Sequence, residues 1–297
     1  LTFSMIAFMT YPNEGTDLRR YYEILDQMEL YSTGELFSEW IYASTPVTVI
    51  LFLIVKFLNI YNMLPFIAAL ITILCYTLII TNFVKIYSPS YATISIFILV
   101  VVAIYGLRAL LTGVRQALAV AILCTAIYRI YVEKRFDWKS CLALTLSPLI
   151  HVGVIPVALL IIAIRIIKKR WVLAVALYGI GLQLIAYVRI SNPYIRYIQN
   201  KFLEYNEIEY PDIRFFIVRI AIFVILGILS VANEKAINKL GLAAYNRFIL
   251  SSCLIAVISF TNQMLFDRII TIIAASILPT LFCVMEKTSI RMKKFNS

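Results

Sequence analysis

The chain has 297 residues, of which 62% are hydrophobic and only 14% are charged, and its mean hydropathy is +0.90. A single soluble core cannot hide that much apolar surface, so the composition excludes a soluble globular protein and indicates an integral membrane protein. The net charge of +11 does not point to nucleic acid, because the basic residues cluster in short loops and in the tail, as the positive-inside rule predicts for a membrane protein.

The N-terminal part of the chain consists of an apolar run followed by an acidic loop. The chain begins at Leu1 within an apolar run to about Tyr11, which we interpret as the end of a truncated first transmembrane helix rather than a signal peptide. The polar segment from Pro12 to Thr45 is rich in Asp and Glu and poor in Lys and Arg, which suits the outer face of the membrane.

Apolar runs recur along the rest of the chain and predict membrane spans. A second polar loop lies at 191–212 and should face outward, whereas the basic tail after Glu286 should face the cytoplasm. The predicted spans are 46–62, 65–84, 92–107, 171–190, 214–231, 243–261 and 265–285. In addition, an apolar helix follows the Arg108 segment to about Val132, and the run 138–164 is either one span or a hairpin. We therefore predict one all-α domain over 1–297, a polytopic integral membrane helix bundle with about ten transmembrane or half-membrane helices and two long outer loops.

The sequence contains few residues or motifs that could bind a metal ion or a nucleotide. Its five cysteines lie in or beside apolar runs without ligand spacing, and its single histidine gives a His-based metal centre almost nothing to build from. No phosphate-binding loop, dinucleotide fingerprint or Asp-x-Asp pair is present. We therefore expect no metal, no cofactor and no bound nucleotide.

The stretch from Arg108 to His151 places fixed charges and the only histidine inside sequence suited to hydrocarbon. On a helix, Arg108, Thr112 and Arg115 share one face, and guanidinium groups at membrane depth normally face a bundle interior or a water-filled cavity. This face is therefore a candidate site. The alternative is that both arginines lie at the bilayer edge and snorkel to phosphate headgroups, with Gln116 as a hydrogen bonder between packed helices.

Small residues repeat every four positions on nearly the opposite face of the same helix. Gly113, Ala117 and Ala121 lie there, and side chains of this size let neighbouring helices approach closely. The pattern predicts that this face packs against another helix while the first face carries the cations.

The run 138–164 has two interpretations, because Pro148 and Pro156 interrupt it. It is either one tilted span or a hairpin of two short helices with His151 near its outer tip. We favour the hairpin, because prolines in a membrane helix are tolerated mainly where the backbone is buried in protein or lines a cavity. The hairpin also places the basic turn from Lys134 to Lys139 on the cytoplasmic side, as its charges favour.

Two parts of the chain carry a family resemblance. The helix start Val114-Arg115-Gln116-Ala117-Leu118-Ala119-Val120, followed by a basic turn and then by Leu149-Ile150-His151, resembles the EpsG family of Wzy-type bacterial polysaccharide polymerases. The earlier Asp17-Leu18-Arg19-Arg20-Tyr21-Tyr22 is similar to that family as well. The chain departs from the family pattern at Ile150, where an aromatic residue is usual.

The resemblance implies a multi-pass enzyme of the bacterial cytoplasmic (inner) membrane. Such an enzyme moves a growing polysaccharide from undecaprenyl pyrophosphate to the sugar end of an incoming lipid-linked repeat unit at the outer face of the membrane, without metal or nucleotide. The products of the family include O-antigen, capsule and exopolysaccharide. The implied partners are the undecaprenyl-pyrophosphate-linked oligosaccharide, membrane lipid, and the chain-length regulator and flippase of the same pathway.

That chemistry needs cations to stabilise the departing pyrophosphate, for which bidentate arginine is well suited, and a base for the attacking hydroxyl, for which histidine is the natural candidate near neutral pH. We accordingly expect catalytic roles for His151 and Arg115. The expected substrate-binding residues are Arg108, Gln116, Arg268, Asp17, Arg19 and Arg20.

Each of these roles has a structural alternative. A histidine at a helix tip is often a packing residue, and Arg268 at the start of the last span would serve equally as an interfacial anchor. Asp17, Arg19 and Arg20 would also suit the start of a solvated amphipathic helix in the outer loop.

Two other functions would use the same arginines. A transporter or flippase would carry a lipid-linked or small polar substrate through the bundle. Many transporters have paired, interrupted helices in matching halves, and the interruptions at Pro148 and Pro156 have no partner at a corresponding place, which counts against this alternative. A ligase that acts on a different acceptor would share the chemistry of the polymerase, and the sequence does not separate the two.

Overall fold

The computed structural model describes residues 2–10, 17–28, 35, 46–105, 114–166, 175, 177–181, 196, 199–200, 203, 213–260 and 262–285. Those residues form helices joined by turns, with no strand among them, so the all-α prediction is confirmed for the described part of the chain. Arg108, most of the predicted span 171–190, most of the two polar loops and the basic tail lie outside it.

The helices are, in chain order, α1 (Thr2–Met9), α2 (Asp17–Met28), α3 (Pro46–Leu58), α4 (Met63–Tyr87), α5 (Tyr91–Tyr105), α6 (Val114–Ile127), α7 (Trp138–Ile150), α8 (Ile155–Ile166), α9 (Ile213–Ala232), α10 (Glu234–Lys239), α11 (Ala243–Ile258), α12 (Gln263–Ala275) and α13 (Leu278–Met285). A π-helical turn, Tyr128–Val132, extends α6, and a 3-10 turn, Val152–Val154, joins α7 to α8.

The described helices differ in whether they are long enough to cross a bilayer. Two are long and apolar enough, namely α4 and α6 with its π-helical extension, and α12 with α13 makes a third if the bent pair is counted as one span. Five shorter apolar segments have 10–17 residues, namely Pro46–Leu58, Tyr91–Ile104, Val152–Arg165, Ile217–Ala232 and Ala243–Ile258. The count of about ten membrane helices therefore remains a prediction for the whole chain.

Helix α6 lies at the centre of the bundle. Helices α4 and α7 pack along it and α12 also contacts it. Ala117 and Ala121 are buried as predicted, but so are the residues between them, so this helix is surrounded rather than packed on one face only. The Ser147 hydroxyl of α7 donates to the Ala119 carbonyl at 2.9 Å, a contact that is possible because small side chains let the two backbones approach.

Helices α7 and α8 form a hairpin. The chain is extended at His151 (φ −148°, ψ 119°), and α8 then runs back along α7. The Tyr131 hydroxyl at the end of the α6 extension donates to the Ile161 carbonyl at 3.2 Å, and the Arg165 guanidinium lies 4.1 Å from the ring centroid of Phe136. Because α8 thus ends beside the turn from which α7 started, the hairpin prediction is confirmed, with His151 at the tip.

The prolines and helix α3 shape this tip. Pro148 lies in the last turn of α7, where its ring removes one backbone hydrogen bond and weakens the helix. Pro156 is the second residue of α8, where the amide hydrogen that it lacks would have no helical partner in any case. The Thr48 hydroxyl of α3 donates to the Ile150 carbonyl at 3.1 Å, so a third helix holds the tip in place.

The opposite end of the hairpin carries the basic turn. Arg129 pairs there with Glu133 at 3.6 Å and with Asp137, and Asp137 caps α7 by accepting a hydrogen bond from the Ser140 amide at 3.1 Å. The hydrogen bond from Arg129 lowers the pKa of Asp137 to about 2. Lys134 lies against Gly241 near the end of α10, so the turn and the loop after α10 meet at this end. This end is the one that we predict to face the cytoplasm.

The predicted span 265–285 consists of two helices instead of one. Helices α12 and α13 are bent by 51° at a short break, and Pro279 is the second residue of α13, where it cannot continue the hydrogen bonds of α12. The Tyr245 hydroxyl donates to the Ser276 carbonyl at the break, at 2.8 Å. A break of this kind is tolerated in a membrane where the backbone is buried in protein, and the residues around Ser276 are all buried.

Candidate functional site

His151 and Arg268 meet at Gly153. A methyl group on Gly153 would lie 3.0 Å from His151 Nε2 and 3.4 Å from Arg268 Cγ, so both side chains lie against the same glycine. The hairpin supplies His151 and Gly153, and the second turn of α12 supplies Arg268. His151 as a whole is half-buried, but its Nε2 atom is buried and therefore lies within the protein.

Gln116 connects this pair to the start of α6. The Arg268 guanidinium donates from Nη1 to Gln116 Oε1, although the two residues are 152 positions apart in the chain. Arg268 Nε is buried and has no hydrogen-bond partner among the described residues. A buried donor without an acceptor costs about 1–3 kcal/mol, and an anionic oxygen would satisfy it.

Arg115 contacts α2, the helix that belongs to the acidic segment 12–45. Its Nε donates to the Tyr21 hydroxyl at 2.8 Å, and its guanidinium lies 4.9 Å from the centroid of that ring. Tyr21 belongs to α2, and its ring lies 5.7 Å from that of Phe52 of α3 at an interplanar angle of 47°. Helix α2 therefore packs its apolar face on the bundle beside Arg115; the buried side chains of that face are Leu18, Tyr21, Leu25 and Met28.

Asp267, the residue before Arg268, forms a buried ion pair with Arg219. Asp267 Oδ1 lies 2.9 Å from Arg219 Nε, and Asp267 Oδ2 lies 3.8 Å from Arg268 Nη1. Arg219 also donates from Nη2 to the Ile104 carbonyl at the end of α5, at 2.7 Å. Arg219 and Asp267 are each only 6% exposed. The carboxylate is thus placed between two guanidinium groups and can fix the position of Arg268.

A role for Arg219 and Asp267 was not predicted from the sequence. A cation in the middle of the apolar span 213–232 was the available signal, because an ionisable residue at membrane depth marks a functional site by default. The partner of that cation was not predictable, since Asp267 lies 48 positions further along the chain.

The predicted site residues fall into two groups. The structure brings His151, Gln116 and Arg268 into one cluster, with Arg115 adjacent to Gln116 on α6. Arg19 and Arg20 lie on the exposed face of α2, where Arg19 Nε is 3.2 Å from Glu23 Oε1. Asp17 is the first residue of that helix, and Arg108 lies outside the described residues.

The cluster is cationic. Among the described residues, Arg219 and Arg268 share the carboxylate of Asp267, and Arg115 is the neighbour of Gln116 on α6, so these four residues carry a formal excess of positive charge. Such a cluster attracts a polyanion and stabilises charge that develops on it. Within the described residues, no group of three or more His, Cys, Asp and Glu side chains is arranged to hold a metal ion.

Comparison with known proteins gives one match. A family model described as the EpsG family matches residues 1–295. No match was found among curated proteins or among solved structures.

Proposed function

Because the chain belongs to the EpsG family, a family of Wzy-type polysaccharide polymerases, we propose that it polymerises undecaprenyl-pyrophosphate-linked repeat units by glycosyl transfer at the outer face of the bacterial cytoplasmic membrane. The observation that carries this proposal is the meeting of His151, Arg268 and Gln116 at one end of the bundle, with Arg115 beside them. A base and two cations are what this reaction needs at one place.

In the proposed reaction, the acceptor hydroxyl of the incoming repeat unit attacks the anomeric carbon of the growing chain. The hydroxyl proton passes to the imidazole of His151, and the hydroxyl oxygen forms the new glycosidic bond. The bond between the anomeric carbon and the phosphate oxygen breaks, and its electron pair leaves with undecaprenyl pyrophosphate. The pyrophosphate is already a good leaving group, so the protein has to supply positioning, a base and charge stabilisation.

The arginines serve the leaving group in this proposal. Arg268 Nε is a buried donor with no acceptor among the described residues, and a phosphate oxygen would give it one. Arg115 would add a second guanidinium, and charge-assisted contacts from arginine to phosphate are among the strong hydrogen bonds. Gln116 and Asp267 act as positioning residues, because both contact the Arg268 guanidinium from the protein side.

The other predicted site residues bind the saccharide of the incoming repeat unit in this proposal. Arg19 and Arg20 are exposed on α2, next to the helix face that covers Arg115. We place the saccharide of the incoming unit against this side of α2, with Asp17 and Arg108 as further contacts. The chain-length regulator and the flippase of the pathway are the proposed protein partners.

A reconstituted assay tests the function directly. Purified protein in lipid nanodiscs should convert lipid-linked repeat units into a ladder of longer chains in the presence of a metal chelator and without nucleotide. His151→Gln should lower the rate by roughly 10²–10⁴-fold, the usual contribution of a general base. Thr145→Ala, an exposed position on the same hairpin, serves as the matched control and should polymerise normally.

The assay also separates the competing functions. A flippase would leave the repeat units as single units and change only the leaflet that holds them. Normal ladders from His151→Gln at equal protein level would remove the histidine from the mechanism. The absence of any ladder from the wild-type protein would refute the polymerase assignment.

A further inference from the structure

Helices α1, α4 and α5 enclose an apolar groove, and we propose that it binds the isoprenoid chain of the lipid-linked substrate, an inference that rests on the function proposed above. The groove encloses a cavity of about 210 Å³ and is partly open to the surroundings. Its lining is almost entirely apolar and includes Phe3, Thr72, Tyr76, Phe97, Ile98 and Val101. A cavity with this lining favours an apolar occupant over water.

Helix α5 leads from this groove to the cationic cluster. Val101 lines the groove, and Ile104 lies three residues further along the same helix, a rise of about 4.5 Å. The Ile104 carbonyl accepts the hydrogen bond from Arg219, which pairs with Asp267 next to Arg268. The end of the groove at Val101 therefore lies close to the residues that we assign to the pyrophosphate.

The contacts at the two ends of helix α4 show which end of the groove lies toward the site. Its first turn lies at the site end, because the Tyr22 hydroxyl of α2 donates to Asn62 at 2.6 Å. Its last part lies at the basic end, where Asn82 donates to Glu133 at 2.9 Å. The lining residues of α4 run from Ala69 to Ile80, so the groove covers the middle turns of this helix and its Ala69 end is the one toward the site.

This geometry commits the groove to one occupant. A ligand that fits must carry an anionic head at the cationic cluster and an apolar chain that runs along the membrane normal from that head. A polyprenyl pyrophosphate has both parts on one molecule. An ordinary anionic phospholipid shares the head charge and the apolar chain, so competition between the two lipids is part of the test.

Two adjacent pairs of exposed residues provide matched variants. Ile98 lines the groove and is 46% exposed, whereas its neighbour Leu99 does not line it and is 66% exposed. Thr77 lines the groove, whereas its neighbour Leu78 does not and is 55% exposed. Because all four positions are exposed, a tryptophan at any of them should not overpack the core.

The first measurement is steady-state kinetics in nanodiscs with donors that carry either an undecaprenyl chain or a short prenyl chain. Ile98→Trp and Thr77→Trp should raise KM for the undecaprenyl donor by roughly three- to tenfold, a modest factor because the gain over bulk bilayer comes from packing alone. Their kcat with the short donor should stay unchanged. Leu99→Trp and Leu78→Trp should match the wild-type protein with both donors.

The second measurement uses a photoreactive undecaprenyl phosphate with the reactive group in its isoprenoid chain. The probe should label peptides of α4 and α5, and unlabelled undecaprenyl phosphate should displace it better than phosphatidylglycerol does. Equal displacement by the two lipids, or equal labelling of the Ile98→Trp and Leu99→Trp variants, would overturn the groove assignment.

The two measurements distinguish failure of the groove from failure of the function. If the wild-type protein polymerises both donors with the same KM, the groove assignment is wrong and the polymerase assignment stands. If the wild-type protein makes no polymer and the probe labels no groove peptide, both assignments fall.

Discussion

Removing Arg219 alone should destabilise the protein strongly, whereas removing Arg219 together with Asp267 should not. Arg219→Met leaves the Asp267 carboxylate, which is only 6% exposed, without its partner at 2.9 Å. It also leaves the Ile104 carbonyl without its donor at 2.7 Å. Breaking a buried ion pair by removing one partner costs about 3–5 kcal/mol. Arg268 at 3.8 Å compensates part of the charge, so we expect about 3 kcal/mol, at the lower end of that range.

The double variant Arg219→Met/Asp267→Leu removes both charges. Replacing a buried ion pair by apolar side chains of similar volume is often neutral or stabilising, so most of the lost stability should return. The polymerising activity should not return, because Arg268 has then lost the carboxylate that fixes its position. This split between stability and activity identifies Asp267 as a positioning residue.

Thermal unfolding of the purified protein, followed by circular dichroism or by an intrinsic fluorescence shift, measures the first effect. Arg219→Met should lower Tm by about 6–12 °C, on the scale of about 2–4 °C for each kcal/mol in a chain of this size. Arg19→Met breaks an exposed ion pair with Glu23 at 3.2 Å and is the matched control; exposed pairs contribute at most about 1 kcal/mol. A double variant as unstable as Arg219→Met would refute the ion-pair argument, and one that polymerises normally would refute the positioning role.

Four further predictions concern single positions. Arg115→Lys should lose nearly as much polymer as Arg115→Ala, because an ammonium group reproduces neither the fork geometry nor the stacking on a ring; near-normal polymer from the Lys variant would favour snorkelling. Gly153→Ala places a methyl group 3.0 Å from His151 Nε2, so kcat should fall by roughly tenfold if the ring is displaced by a few tenths of an ångström, while Tm stays within a few degrees of the wild-type value. The rate of the wild-type protein should fall at acidic pH as the His151 imidazole takes up a proton, and the residual activity of His151→Gln should lack that acid limb in a pH–rate profile. Because the pKa of Asp137 is lowered from 3.8 to about 2, its contribution to stability is present above about pH 4 and is lost as the pH falls toward 2; the Tm difference between Asp137→Asn and the wild-type protein should therefore vanish over that interval.

Local sequence determined the helical and membrane character of this protein. Hydropathy is a property of consecutive residues, so runs of apolar residues predicted helices whose observed ends agree within a few residues, as with 46–62 and Pro46–Leu58 or 92–107 and Tyr91–Tyr105. The hairpin was predictable for a similar reason, because Pro148 and Pro156 act on the backbone within one turn of their own positions. Pro279 carried the same signal for the bend of 51° between α12 and α13, although the apolar residues around it also suited one uninterrupted span.

Sequence also singled out polar residues that hydrocarbon would not tolerate, and Arg115, Gln116, His151 and Arg268 are all among them. It did not determine which of these residues meet, because the same rule is satisfied by snorkelling, by packing or by a site. The contact between Gln116 and Arg268 joins positions 152 residues apart, and the ion pair of Arg219 joins α9 to α12.

Those contacts depend on how the hairpin tip, α6, α9 and α12 pack against one another, and packing is decided by side-chain shapes from the whole bundle. Tertiary structure alone therefore placed one carboxylate between two arginines and one glycine between Arg268 and His151. Hydropathy predicts only that a charged residue in an apolar run needs a partner. Which group becomes that partner depends on which side chains the folded chain places next to the charge.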